Sequence, residues 1–171
     1  MNGTDSVAAS RYGNYRHILF CSDFSENSDF AFDFALDAAL RNTGCTLFLL
    51  HVLPEPDAQF WKGYIYDSDQ DPDAKAKADI DAKINRTYRP RLPEGIDFQT
   101  VFRIGSAADQ ILAFAKEQAI DLIVIGRQGK GAVRSLFFGN VASKVARQAV
   151  CPLLIIPLAF RLRADAAIPE A

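Results

Sequence analysis

The stretch Asp121-Leu122-Ile123-Val124-Ile125-Gly126 decides the fold. Four successive apolar residues running straight into a glycine read as a strand buried on both faces, the situation in a parallel sheet covered by helices on each side. Downstream, Asn140 to Gln148 reads as a helix with Val141 and Val145 one turn apart, and Leu153 to Ile156 as a last buried strand. Upstream, His17 to Cys21 is a short apolar strand that stops in Ser22-Asp23-Phe24-Ser25. From Asn27 to Leu40 apolar residues mix with Asp29, Asp33 and Asp37, which share one helical face and predict an amphipathic helix with an acidic outer side. Asn42-Thr43-Gly44 ends it, glycine accepting the left-handed cap conformation.

Thr46 to Val52 is a second buried strand, closed by Pro54 and Pro56. A long connection rich in Asp, Pro and aromatics follows to Pro72, and Ala74 to Thr87 reads as a surface helix stopped by Pro90 and Pro93. Ile96 to Ile104 predicts a strand before Gly105-Ser106, and Ala107 to Ala119 a helix with Ile111, Leu112, Phe114 and Ala115 on one face. Five strands alternating with four helices predict a single doubly wound α/β domain: a five-stranded, mostly parallel sheet of order 3-2-1-4-5 with helices on both faces. Ligands of such sheets sit outside the carboxyl ends of the strands, where the strand order reverses. Asp23 and Gly126 both fall at such ends.

The chain has 171 residues, enough for one domain with one core. Residues 1–15 are polar and expected to form a flexible leader, 16–157 the domain, and 158–171 a tail. Lys and Arg number 19 against 21 Asp and Glu, so no global field exists to hold nucleic acid or an anionic membrane. Three cysteines without CxxC spacing suggest neither a disulfide framework nor a zinc site. No export signal is legible, and the apolar run Pro152 to Phe160 is far short of the ~20 residues that span a bilayer. The expectation is a cytoplasmic protein.

Function concentrates in the segment from Gly126 to Asn140, which carries Gly129, Gly131 and Gly139 and the charges of Arg127, Lys130 and Arg134. Glycines let backbone N–H groups approach a phosphate, and the helix that begins near Asn140 adds the positive end of its dipole. By spacing alone a plain loop with tight turns is an equal reading.

Gly126-x2-Gly129-x9-Gly139 followed by a small polar residue resembles the nucleotide-binding signature of the ATP-binding branch of the universal stress protein family. Ile18 to Ser28 is similar to that family's opening strand and Asp-x-Ser turn, Leu49 to Val52 to its second strand, and Cys151 to Pro157 to its closing one. The resemblance implies that Asp23 contacts the adenosine moiety, that Val52 lines the adenine pocket, that Gly126, Gly129, Gly139 and Asn140 hold ribose and phosphates, and that Ile125 and Val141 belong to the same nucleotide-binding set. It implies ATP, or AMP or ADP, with Mg as a possible companion, and a homodimer joined through Leu153 to Ile156. Asn140 departs from the family's usual Ser or Thr; its oxygen can cap the helix while its amide donates to a phosphate. Asp23 has its own alternative, as a helix cap with Glu26 completing a capping box.

Other signals are weaker. Asp67-x-Asp69-x-Asp71 imitates a calcium loop but has Pro72 at position six and Ala78 at position twelve. Neither a Walker A sequence nor GxGxxG is present. His17 and His51 read as hydrogen-bonded histidines of apolar strands, and Ser22 and Ser25 lack an evident triad. The expected function is a dimeric, adenine-nucleotide-dependent switch in stress response, without catalytic or metal-ligating residues. The competing readings are a slow Mg-dependent ATPase with Asp23 as its candidate group, and a nucleotide-free dimeric scaffold.

Overall fold

The computed structural model describes residues 13–55, 72–127 and 139–161. Strands β1 (His17–Cys21), β2 (Thr46–Leu53), β3 (Asp97–Ile104), β4 (Leu122–Gly126) and β5 (Leu153–Ile156) form one sheet in the order β3-β2-β1-β4-β5. Every pairing is parallel, so the sheet expected to be mostly parallel is wholly so among the described residues. Helices α1 (Glu26–Arg41), α2 (Pro72–Thr87), α3 (Ala107–Glu117) and α4 (Asn140–Gln148) cover it, with a 3-10 turn at Arg89–Arg91 where Pro90 interrupts the chain.

The period-two geometry of a strand explains the continuous apolar runs. Ile18, Phe20, Leu47, Leu49, Leu122 and Val124 pack on one face with Ala31, Phe32 and Ala35 of α1 and Ile84 of α2. Their alternates Leu19, Cys21, Phe48, Leu50, Ile123 and Ile125 pack on the other with Ile111 and Phe114 of α3 and Ala142 and Val145 of α4. A single-residue slip in register would exchange the two sets.

Helix α1 starts at Ser25, whose Oγ accepts the Ser28 N–H at 3.2 Å. Ser25, not Asp23, is therefore the cap, and the alternative capping box from Asp23 to Glu26 gives way because the Asp23 carboxylate takes the Ser25 N–H at 3.0 Å, ahead of the helix. The helix ends as expected, with Gly44 at φ +79° and Asn42 buried, its amide donating to Ala38 O at 2.8 Å and its oxygen accepting from Tyr15 N at 2.7 Å. The acidic stripe is not simply an outer face. Asp29 accepts the Tyr88 hydroxyl and Asp33 pairs with Arg91, because α2 and the 3-10 turn close over that side of α1; Asp37 pairs with Arg41 in the open.

Candidate functional site

The chain leaves β1 towards β2 on one side, while β4 lies on the other, so the strand order reverses between β1 and β4. Cys21 and Ile125 are register partners at that boundary. The turn after β1 and the loop after β4 therefore leave the sheet side by side. Two further bonds carry the ladder past the strand ends: Ser22 N donates to Leu50 O at 3.0 Å and Arg127 N to Ile156 O at 2.8 Å.

Asp23 sits half-buried just past β1, its Oδ1 accepting Ser25 N at 3.0 Å in an Asx turn. Phe24 in the middle of that turn has φ +56°, a left-handed conformation that costs a bulky residue roughly 1–2 kcal/mol. Packing holds it there: its ring lies 4.7 Å from His51 and 6.0 Å from Tyr88, with Lys83 Nζ 4.4 Å from its centroid. Its N–H donates to Ser22 Oγ at 3.0 Å.

Val52, at the tip of β2, and Val141, in the first turn of α4, are half-buried, and both pack against the cluster that contains buried Ile125. These three share the α3/α4 face of the sheet. Gly126 belongs to the other face, and its need for glycine comes from the protein itself: an added Cβ would stand 2.7 Å from Asn27 Nδ2 and 3.2 Å from the Asn27 backbone carbon. Asn27, buried, also donates to Ile156 O at 2.8 Å.

Gly139 rejoins the β4 end, donating from N to Arg127 O at 3.0 Å. It is the N-cap of α4, so Asn140 is the first helical residue and does not cap the helix as its side chain had suggested. Asn140 is exposed, and Ser143 N bonds back to Gly139 O at 2.9 Å. Gly139 has no side chain to cap the α4 N-terminus, and among the described residues no side-chain cap is made there. Its first-turn N–H groups, at the positive end of the helix dipole, suit an anionic acceptor. Arg127 Nε fits as well, being a buried donor with no hydrogen-bond partner among the described residues. The structure thus brings Asp23, Val52, Ile125, Gly126, Gly139, Asn140 and Val141 to one end of the sheet. Gly129, the charges of Lys130 and Arg134, the Asp67 to Asp71 segment and most of the 54–73 connection lie outside the described residues.

The sequence did not reveal a buried polar chain beside this site. Ser22 Oγ lies 2.7 Å from Tyr88 Oη, which donates to Asp29 Oδ1 at 2.5 Å. His51 Nδ1 is 2.8 Å from Ser22 O, so it carries a proton toward that carbonyl. Burial, and then the bond to Asp29, push the Tyr88 hydroxyl well above the usual tyrosine range, which keeps it a neutral donor. Burial likewise raises the Cys21 and Cys151 thiols, Cys21 further through Cys151, so neither is an activated thiolate. Among the described residues no group of three or more His, Cys, Asp or Glu could hold a metal, and no helix is long and apolar enough to cross a membrane.

Fold and site together define a doubly wound α/β domain with its crevice at a single switch point. The universal stress protein family model matches residues 14–157, and the chain belongs to that family. Universal stress protein YxiE of Bacillus subtilis is 35% identical over 63 residues, a stretch covering 37% of this chain and 43% of that protein. The alignments with YxiE and with the Methanocaldococcus jannaschii and Thermus aquaticus relatives each span less than half of the relative's length. The solved universal stress protein UspA from Lactobacillus plantarum superposes with a TM-score of 0.68 at 26% identity, covering 84% of this chain and 98% of that one. A universal stress protein from Archaeoglobus fulgidus, solved in complex with dAMP, has the same fold, with a TM-score of 0.56 at 23% identity over 84% of this chain and 98% of that one.

Proposed function

We propose that this chain binds an adenine nucleotide, ATP in the first instance, at the carboxyl ends of β1, β2 and β4. The observation that carries the reading is the start of α4 beside the β4 end, which has no side-chain cap among the described residues, with Arg127 Nε buried and without a partner among them, next to the Asp23 turn. Phosphates suit the α4 N-terminus and the loop that contains Gly129; Asp23 suits a ribose hydroxyl or base donor; Val52, Ile125 and Val141 suit the apolar face of the base. The dAMP held by the Archaeoglobus fulgidus protein supports the nucleotide class. Magnesium, when bound, would neutralise phosphate charge.

The molecule acts as a homodimeric, cytoplasmic switch in stress response, occupancy altering the 126–139 loop and with it the surface offered to a partner. The dimer joins through β5, an edge strand whose Leu154 is 38% exposed; pairing with a second copy satisfies the open edge and covers that side chain.

Nucleotide released by denaturing the purified protein, identified by chromatography, together with calorimetric titration of ATP with and without magnesium, tests the reading. Micromolar or tighter binding, lost in Gly129→Val and weakened in Asp23→Ala, is expected. A folded protein indifferent to every adenine nucleotide overturns it in favour of a nucleotide-free scaffold, and magnesium-dependent phosphate release abolished in Asp23→Asn would make it a slow ATPase.

A further inference from the structure

We propose that Tyr88 is a positioning residue for the ligand site: through Ser22 it sets the β1–α1 turn that presents Asp23. The proposal rests on the nucleotide reading above, and it assigns a role to a side chain at the end of α2, 66 positions from the serine it meets.

Counting protons fixes the direction of the chain. Tyr88 Oη gives its single proton to Asp29 Oδ1 at 2.5 Å, so at 2.7 Å it must accept the proton of Ser22. Ser22 Oγ, having given its proton away, accepts the Phe24 N–H at 3.0 Å. Ser28 Oγ gives its own proton to Ser25 O at 2.9 Å and lies 3.4 Å from Ser22 Oγ, so it offers Ser22 only a more distant and weaker acceptor than Tyr88. A one-way series therefore runs from the Phe24 amide to the Asp29 carboxylate. Its members Ser22 and Tyr88 are buried, where an unmet hydroxyl is costly and the series resists reversal.

The turn needs such support. Phe24 is held at φ +56°, and of the two residues before it Asp23 is anchored by the Ser25 N–H and Ser22 by the Leu50 carbonyl. Without Tyr88 Oη, Ser22 is free to turn its hydroxyl to another acceptor, the Phe24 amide loses its fixed partner, and the Asx turn at Asp23 loosens. The Tyr88 ring, stacked on Phe24 and set against Phe20 and Phe32, remains in place in Tyr88→Phe. That variant therefore removes the series and spares the packing.

Tyr88→Phe is compared with wild type by amide hydrogen exchange and by calorimetry with ATP and with adenosine, and Ile84→Val, a buried α2 change that keeps the Ile84 carbonyl on Tyr88 N and every hydroxyl of the series, controls for lost stability. Exchange at Phe24 and Ser25 should quicken about tenfold while Val124 is unaffected, and ATP and adenosine should weaken alike by roughly three- to tenfold, the scale of one hydrogen bond. In an Asp23→Ala background, Tyr88→Phe should cause no further loss. Unchanged exchange at Phe24 and Ser25 overturns the proposal whether or not nucleotide binds, and so does an undiminished loss in the Asp23→Ala background. Failure of wild type itself to bind overturns the nucleotide reading, and the exchange data then decide alone whether Tyr88 holds the turn.

Discussion

Gly126 stands where two backbones meet, so the smallest substitution there is informative. In Gly126→Ala the new Cβ meets Asn27 Nδ2 at 2.7 Å and the Asn27 main chain at 3.2 Å, and α1 must shift off the sheet. Overpacking of this kind costs roughly 1–3 kcal/mol, read as a lower urea midpoint, and Asn27→Ala in the same chain should recover only part of it because the main-chain contact persists. At Phe24 the reverse logic applies. Phe24→Ala loses the ring contacts with His51 and Tyr88 and keeps the left-handed backbone, whereas Phe24→Gly loses the ring but relieves the backbone. The glycine variant should be the more stable of the two by about 1 kcal/mol in chemical denaturation. An alanine variant equal to the glycine one would show that the turn relaxes out of the left-handed region.

Among the elements, α1 and α3 are tied down by charged groups of unequal worth. Arg91 pairs with Asp33, donates to Asp29 O at 3.2 Å and lies 4.7 Å from the Phe32 ring, whereas Arg41 reaches only exposed Asp37 one turn away. Arg91→Ala should therefore cost about 1–2 kcal/mol and Arg41→Ala less than about 0.5, both read from denaturant titration. Helix α3 is fastened by Lys144 to Asp109 at 2.6 Å and by Arg103 to Glu117. The hydrogen bond from Lys144, with that from Ser106, holds the Asp109 carboxyl below its ordinary value, and the bond from Arg103 does the same for Glu117. Folded values lowered in this way add stability above the ordinary carboxylate range and lose it as pH falls through the folded value. Thermal melts between about pH 6 and 3 should show that loss, and Lys144→Met should flatten the curve. A curve of unchanged slope would mean that solvent screens the Asp109 pair completely.

Strands were the most legible elements because burial on both faces leaves an uninterrupted apolar run. β1, β5 and α4 carry the boundaries the residues predict, and β2, β3, β4, α1, α2 and α3 differ at their ends by one or two residues. Caps were less legible, since Asp23, Ser25 and Ser28 all offer acceptors and only the turn geometry selects Ser25. Asn140 and Gly139 compete in the same way at α4, where the preference for an asparagine cap is overridden. The Asp23 and Gly126 ends of the site could be placed from the pattern, but Tyr88 and Arg91 could not. Residues following a helix and flanking Pro90 carry no periodic signal, and the crossover alone brings them onto α1.

At the scale of the whole molecule, the sheet of the described residues reverses once, between β1 and β4, and of its two edge strands β3 and β5 the proposed dimer uses β5. Light scattering should give a dimer that Leu154→Glu converts to monomer while the fold, by circular dichroism, is kept; a dimeric Leu154→Glu would place the interface elsewhere. The central claim is the location of the ligand, and backbone amide NMR during ATP titration tests it most directly. Saturable shifts centred on Ser22 to Ser25, Val52, Gly126 and Asn140 to Ala142, with the far ends of β1 and β4 unmoved, are the predicted result. Saturating ATP that leaves those amides in place, or moves a different surface, would contradict the account.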